Sequence, residues 1–243
     1  MSRSLRRAAA ALLALFALLL TGCGGVTADD AKAYIQGCLD AAYLGQYNQD
    51  YLDLSGLTEE ESRQEDYEWN TQAEAEILME YFAIYPSEAA SAQALDLVKE
   101  IYSHSKYEVK GASKLEDGSY AVTVDIQPID ILYRYSLEND ISAVWADVLA
   151  QHGVTSEEEL YAMSDADYEA MEDLYAAAVL DSIHALLPEL AYGQEQTVML
   201  QLELKDNVYT LVDTDWQHLD GMIIDYTGQY CDLSADTPQM DAV

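Results

Sequence analysis

The chain predicts an α+β fold, with helices packed on an antiparallel sheet built from two hairpins. Three observations carry that expectation. Apolar side chains recur at three- and four-residue steps over most of the chain, the period of helices that bury one face. In two places the period drops to two, on either side of an Asp-Gly or Asp-Asn turn, as in hairpins. Half of the 243 residues are hydrophobic, enough for a packed core despite the acidity.

From Ala31 to about Leu44, the stripe Ile35, Cys38, Leu39, Ala42 and Tyr43 marks a first helix. Leu54-Ser55-Gly56-Leu57 is a break, and Thr58-Glu59-Glu60-Glu61 has the capping-box pattern that opens another helical turn. Ala73, Ile77, Leu78, Tyr81 and Tyr85 continue at helical steps as far as Pro86. Ser87 then caps a helix whose stripe is Ala92, Leu95, Val98 and Tyr102. Tyr107 and Val109, then Tyr120, Val122, Val124 and Ile126, flank Glu116-Asp117-Gly118-Ser119 as the first hairpin, closed by Pro128. A second helical block starts near Leu137 and carries Ile141, Val144, Trp145 and Val148. Thr155-Ser156 and Ser164 cap further helices, the longer running through Tyr168, Met171, Tyr175 and Ala178 to Leu187-Pro188. Thr197 to Leu202 opens the second hairpin, Asp206-Asn207 turns it, and Val208 to Trp216 reads as its partner strand.

The segments Leu115–Tyr120 and Leu204–Tyr209 align 89 residues apart. A duplicated helix-plus-hairpin unit, 31–130 and 131–233, is one reading; turn chemistry common to hairpins is the other. Isolated hairpins are marginally stable, so the two are expected to pair into one sheet backed by helices. One α+β domain over 31–233 and a frayed tail over 234–243 complete the expected layout.

The N-terminus has its own logic. Arg3, Arg6 and Arg7 precede an apolar run of 13 residues, Ala8 to Leu20. That run is too short to span a bilayer and has the length of a signal-peptide core. Leu20-Thr21-Gly22-Cys23 follows and resembles the lipobox of bacterial lipoproteins. The resemblance implies cleavage of residues 1–22 and diacylation of Cys23, where two acyl chains hold a protein that one holds only marginally. Residues 23–30 then form a short tether, about 25 Å at full extension, so the domain is expected close to the membrane. Ile101-Tyr102-Ser103-His104-Ser105-Lys106-Tyr107-Glu108-Val109, the Asp-Gly hairpin, and Val122-Thr123-Val124 leading to Pro128-Ile129-Asp130 resemble uncharacterised surface lipoproteins of Gram-positive bacteria, a domain of unknown function. That resemblance implies a helix-plus-sheet domain at the cell surface and brings no catalytic residue.

Composition excludes some partners. The formal charge is −34, and it becomes more negative once the three N-terminal arginines leave. Nucleic acid, which needs a basic footprint, is thereby excluded. Anionic lipid and wall polymers are disfavoured unless divalent cations bridge them. The 19 Tyr against 2 Phe suit half-buried surfaces and aromatic contacts. With Cys23 acylated, Cys38 and Cys231 remain, and outside the cytoplasm they either bridge the two ends of the domain or stay as buried free thiols.

No nucleophile elbow, zinc-protease helix, Cys-x-x-Cys pair or glycine-rich phosphate loop is present. His104, His152, His184 and His218 are scattered, and no cofactor or metal is called for. Asp165-Ala166-Asp167 starts like a calcium loop, but Ala170 and Ala176 stand where that loop needs Gly and Glu. Asp213, Asp215, Trp216 and Asp220 are the better candidates for a cation or polar-ligand rim at a strand end. The expected function is a non-enzymatic, lipid-anchored module on the outer face of the cell membrane that binds a small ligand or an envelope partner. A carboxylate-based surface hydrolase or envelope-processing enzyme is the alternative, and a purely structural envelope protein the third. A deep pocket with two buried carboxylates of raised pKa would favour the enzyme, and a shallow aromatic groove would favour binding.

Overall fold

A computed structural model of the chain describes residues 25–205 and 208–231, together with the backbone of Ala17–Leu18. The remainder of residues 1–24, the expected export signal and Cys23 among them, residues 206–207 and residues 232–243 lie outside the described residues.

The first helix, α1 (Ala28–Leu39), opens on a capping box in which Thr27 and Asp30 satisfy each other's backbone donors. It runs on as a π-helical turn, Asp40–Leu44, and stops at Gly45, whose φ of +60° needs glycine. A short helix α2 (Gln49–Ser55) fills the stretch before the break at Gly56. The Thr58 capping box is present as read, and it opens α3 (Glu59–Ser62). A second π segment, Arg63–Glu68, joins α3 without interruption to α4 (Trp69–Tyr81). Ser87 caps α5 (Glu88–Tyr102).

Strands β1 (Lys106–Lys114) and β2 (Tyr120–Gln127) form the first hairpin, with a bulge between Val109 and Gly111. Helices α6 (Ile131–Glu138), α7 (Ile141–Gln151), α8 (Glu157–Tyr161) and α9 (Asp165–Ala185) follow. Strands β3 (Gln196–Lys205) and β4 (Val208–Leu211) form the second hairpin. β2 pairs antiparallel with β3, so the hairpins join in one sheet of order β1-β2-β3-β4. Ala17–Leu18 adds a two-residue pairing to the outer edge of β4.

The α+β expectation is met, with one correction near the end. The strand read over Val208 to Trp216 stops at Leu211, and helix α10 (Asp213–Ile223) takes its place. Trp216, Leu219, Met222 and Ile223 are all buried, which is a helical period. Asp213 and Asp215 lie in the first turn, where the helix dipole favours acids. The alternation of Tyr209 and Leu211 belongs to the strand and stops there, since the buried positions beyond it, 216, 219, 222 and 223, no longer alternate.

α1 packs on β1 and β2, α10 packs on β2 and β3, and α4, α5, α9 and α7 follow as successive neighbours. One continuous core draws on all these layers. It is built with tyrosines whose hydroxyls need acceptors. Tyr120 donates to Val26 O at 2.6 Å, Tyr175 to Phe82 O at 2.6 Å and Tyr209 to Gly118 O at 2.9 Å. Past α10, buried Asp225 accepts backbone N–H groups from Thr227, Gly228, Tyr230 and Cys231 at 2.8–3.0 Å, tying the last described loop into one turn. Burial alone would raise its pKa; these donors outweigh that and hold it below the usual carboxylate range.

Candidate functional site

A concave surface lies where the end of α4 meets α7 and α9. Its lining is Ala83, Tyr85, Ile141, Ser142, Trp145, Tyr168, Glu172 and Tyr175, around a volume of about 260 Å³. A second hollow of about 620 Å³ adjoins it through Ile141 and is lined by Tyr81, Phe82 and residues 136–141.

The backbone at this rim is strained. Helix α4 ends in a Schellman turn in which Ile84 N donates to Met79 O (2.8 Å) and Ala83 N to Glu80 O (3.2 Å). Its left-handed position, φ +53°, is held by Ala83, where glycine is the usual occupant. The turn swings Tyr85 outward, 56% exposed, while Phe82 stays in the core and its carbonyl accepts from Tyr175. From the other wall, Trp145 meets Tyr168 at 6.0 Å and Tyr175 at 5.7 Å, both edge-on. Tyr168 is 39% exposed and Tyr175 buried, so the corner grades from wet to dry. Glu172 sits in this wall with no hydrogen bond or ion pair among the described residues. Partial burial, then the charges of Glu169 and Asp173, raise its pKa.

Inward of the adjoining hollow, past Tyr81, lies a cluster of carboxylates and tyrosines. Glu74 on α4 is buried and accepts from Tyr226 Oη at 2.5 Å and from Tyr102. Asp220 on α10 is partly buried and accepts from Tyr43 Oη at 2.7 Å. Desolvation first, then the charge of Asp220, push Glu74 up to about 7. Desolvation also raises Asp220, against the lowering effect of Tyr43. Tyr226 packs edge-on against Tyr81, which lines the adjoining hollow, at 4.9 Å. Two carboxylates of raised pKa, Glu74 buried and Asp220 partly so, thus lie inward of the adjoining hollow, Glu74 reached through Tyr81 and Tyr226, with tyrosine hydroxyls bonded to both.

The residues expected at a rim do not come together as one. Asp213 is exposed in the first turn of α10, and Asp215 accepts the backbone N–H of Gln201 at 2.9 Å. Trp216 is buried and stacks on Tyr43 at 5.8 Å, and Asp220 points to the same tyrosine. At 100° per residue Asp215 and Asp220 stand about 140° apart around the helix, so they meet different neighbours. Among the described residues no group of His, Cys, Asp and Glu is arranged to hold a metal ion. Cys38 and Cys231 are free and buried in separate places. The Cys38 thiol lies against Tyr34 and Tyr51, whereas that of Cys231 points to Pro128 O at 3.7 Å, so no bridge joins the ends of the domain. Cys23, expected as the lipidation site, lies outside the described residues.

Sequence reasoning missed Tyr85, Trp145, Tyr168 and Glu172 as a set. A local signal existed: no lysine or arginine occurs between Arg134 and Lys205, although acids are frequent there.

No protein-family model and no curated protein matches the chain. Among solved structures, it is similar to the crystal structure of a "putative lipoprotein (ycdA)" from Bacillus subtilis, with a TM-score of 0.53 and 15% identity. The likeness covers 80% of this chain and 56% of that one, so the chain spans little more than half of that protein's length. At this identity the likeness is one of fold.

Proposed function

We propose that this chain is a lipid-anchored module of the outer membrane face that binds a ligand or partner in the groove around Trp145. The observation that carries the reading is the groove itself, an open aromatic corner with a strained turn at its rim. The lipobox-like Leu20–Cys23 supports the anchor, as does a similar fold in a Bacillus protein described as a lipoprotein. No helix among the described residues is long and apolar enough to cross a membrane. Two experiments test the two halves. Cys23→Ser is expected to shift the protein from the membrane fraction to the soluble fraction; retention in the membrane would end the anchor reading. Thermal unfolding is then followed against amines, amino acids, glycans and short peptides. A ligand of the folded state at ~100 times its dissociation constant adds about 2.7 kcal/mol. That shift should be smaller in Trp145→Phe.

A second reading, a carboxylate-based envelope hydrolase, rests on Glu74 beside Asp220. Glu74→Gln that unfolds normally yet abolishes a measured hydrolysis would favour it.

A further inference from the structure

We infer that the Trp145 groove takes an organic ammonium group, with the ring faces of Tyr85, Trp145 and Tyr168 around the cation and the Glu172 carboxylate beside it. The inference rests on the binding reading above and names its ligand class.

The groove has the parts that cation recognition needs. Aromatic faces attract a cation through their quadrupoles, most strongly when partly desolvated, and quaternary ammonium ligands are the common case. Here Trp145 and Tyr168 stand at 67° to one another, and Trp145 and Tyr175 at 89°, so the rings form a corner instead of a flat stack. Glu172 is the one charged residue of the lining, and among the described residues no protein cation answers it. The adjoining hollow adds Glu138 and Asp140 and no base. The absence of Lys and Arg from 135–204 extends this to the whole of α7, α8 and α9. The pKa of Glu172 is raised by partial burial first and then by the nearby acids Glu169 and Asp173. A bound cation offsets the repulsion from Glu169 and Asp173. The volume of about 260 Å³ suits one head group, not a folded partner.

The test uses the full chain in detergent, with tryptophan fluorescence as readout and choline as probe. Its neutral isostere, 3,3-dimethyl-1-butanol, has the same shape without the charge. Choline is expected to change the emission saturably, and the alcohol to bind at least roughly tenfold more weakly. The change should vanish in Trp145→Phe, which leaves Trp69 and Trp216 in place. Glu172→Gln, an isosteric change on a part-exposed helix face, should weaken choline roughly fivefold with the thermal midpoint unaltered. Equal binding of choline and the alcohol, or unchanged choline affinity in Glu172→Gln, would overturn the ammonium assignment and leave an apolar binding groove standing. Silence of Trp145 toward both probes overturns the assignment. Silence toward the wider panel of glycans and peptides removes the binding reading as well.

Discussion

A single residue, Glu74, makes stability depend on pH near neutrality. Its folded pKa of about 7 lies above the ordinary value near 4.5, so the folded state holds a proton that the unfolded chain has released across that window. Stability therefore falls as pH rises from about 4.5 to about 7, by on the order of 3 kcal/mol at most. Glu74→Gln keeps the acceptor for Tyr226 and cannot ionise, so its unfolding free energy should be flatter across that window. Equal slopes for both proteins, from urea unfolding at several pH values, would refute the assignment. Ala83 makes the second residue-level case. Its left-handed conformation favours glycine, so Ala83→Gly should stabilise by about 0.5–1 kcal/mol. Neither residue could be picked out from the chain alone. Glu74 is one of 45 acids, and only its partners on α5, α10 and the following loop single it out.

At the scale of elements, the helix boundaries set by caps were legible. Thr58, Ser87, Ser156 and Ser164 all cap as read, because a capping side chain acts within three residues of itself. The π segments were not legible, since the chain reads as ordinary helix through Asp40–Leu44 and Arg63–Glu68. Both carry the inner acids: Asp40 accepts from Tyr107 at 2.9 Å, and Asp66 from Tyr51 at 2.8 Å and Ser62 at 2.5 Å. Close approach of α1 and α2 allows the Tyr51 contact. A Cβ on Gly37 would sit 2.3 Å from Tyr51 Cβ, an atom fixed to its own backbone. Gly37→Ala should cost about 2 kcal/mol by overpacking, read as a lowered urea midpoint at unchanged slope. An unaffected midpoint would mean that the two helices can separate freely.

Across the whole molecule, charge is the dominant imbalance. The chain carries 45 acids against 11 Lys and Arg, and few of the acids are paired. Self-repulsion of such a surface is screened by salt, with a Debye length of about 3 Å at 1 M against 30 Å at 0.01 M. The thermal midpoint should therefore rise by about 2–4 °C between low and molar salt. A falling midpoint would show that the few ion pairs outweigh the repulsion.

By itself the sequence determined the α+β class, the first hairpin turn, most caps and the acidic surface. Each of these is written in residues a few positions apart, or in sums over the chain. Only the tertiary structure decided the rest. It ended the last strand at Leu211 and turned Trp216 and Asp220 inward on a helix. It kept Cys38 and Cys231 apart, and it brought Tyr85, Trp145, Tyr168 and Glu172 to one groove. Contacts across long separations depend on how whole faces pack, and no local pattern encodes which distant face a given side chain will meet.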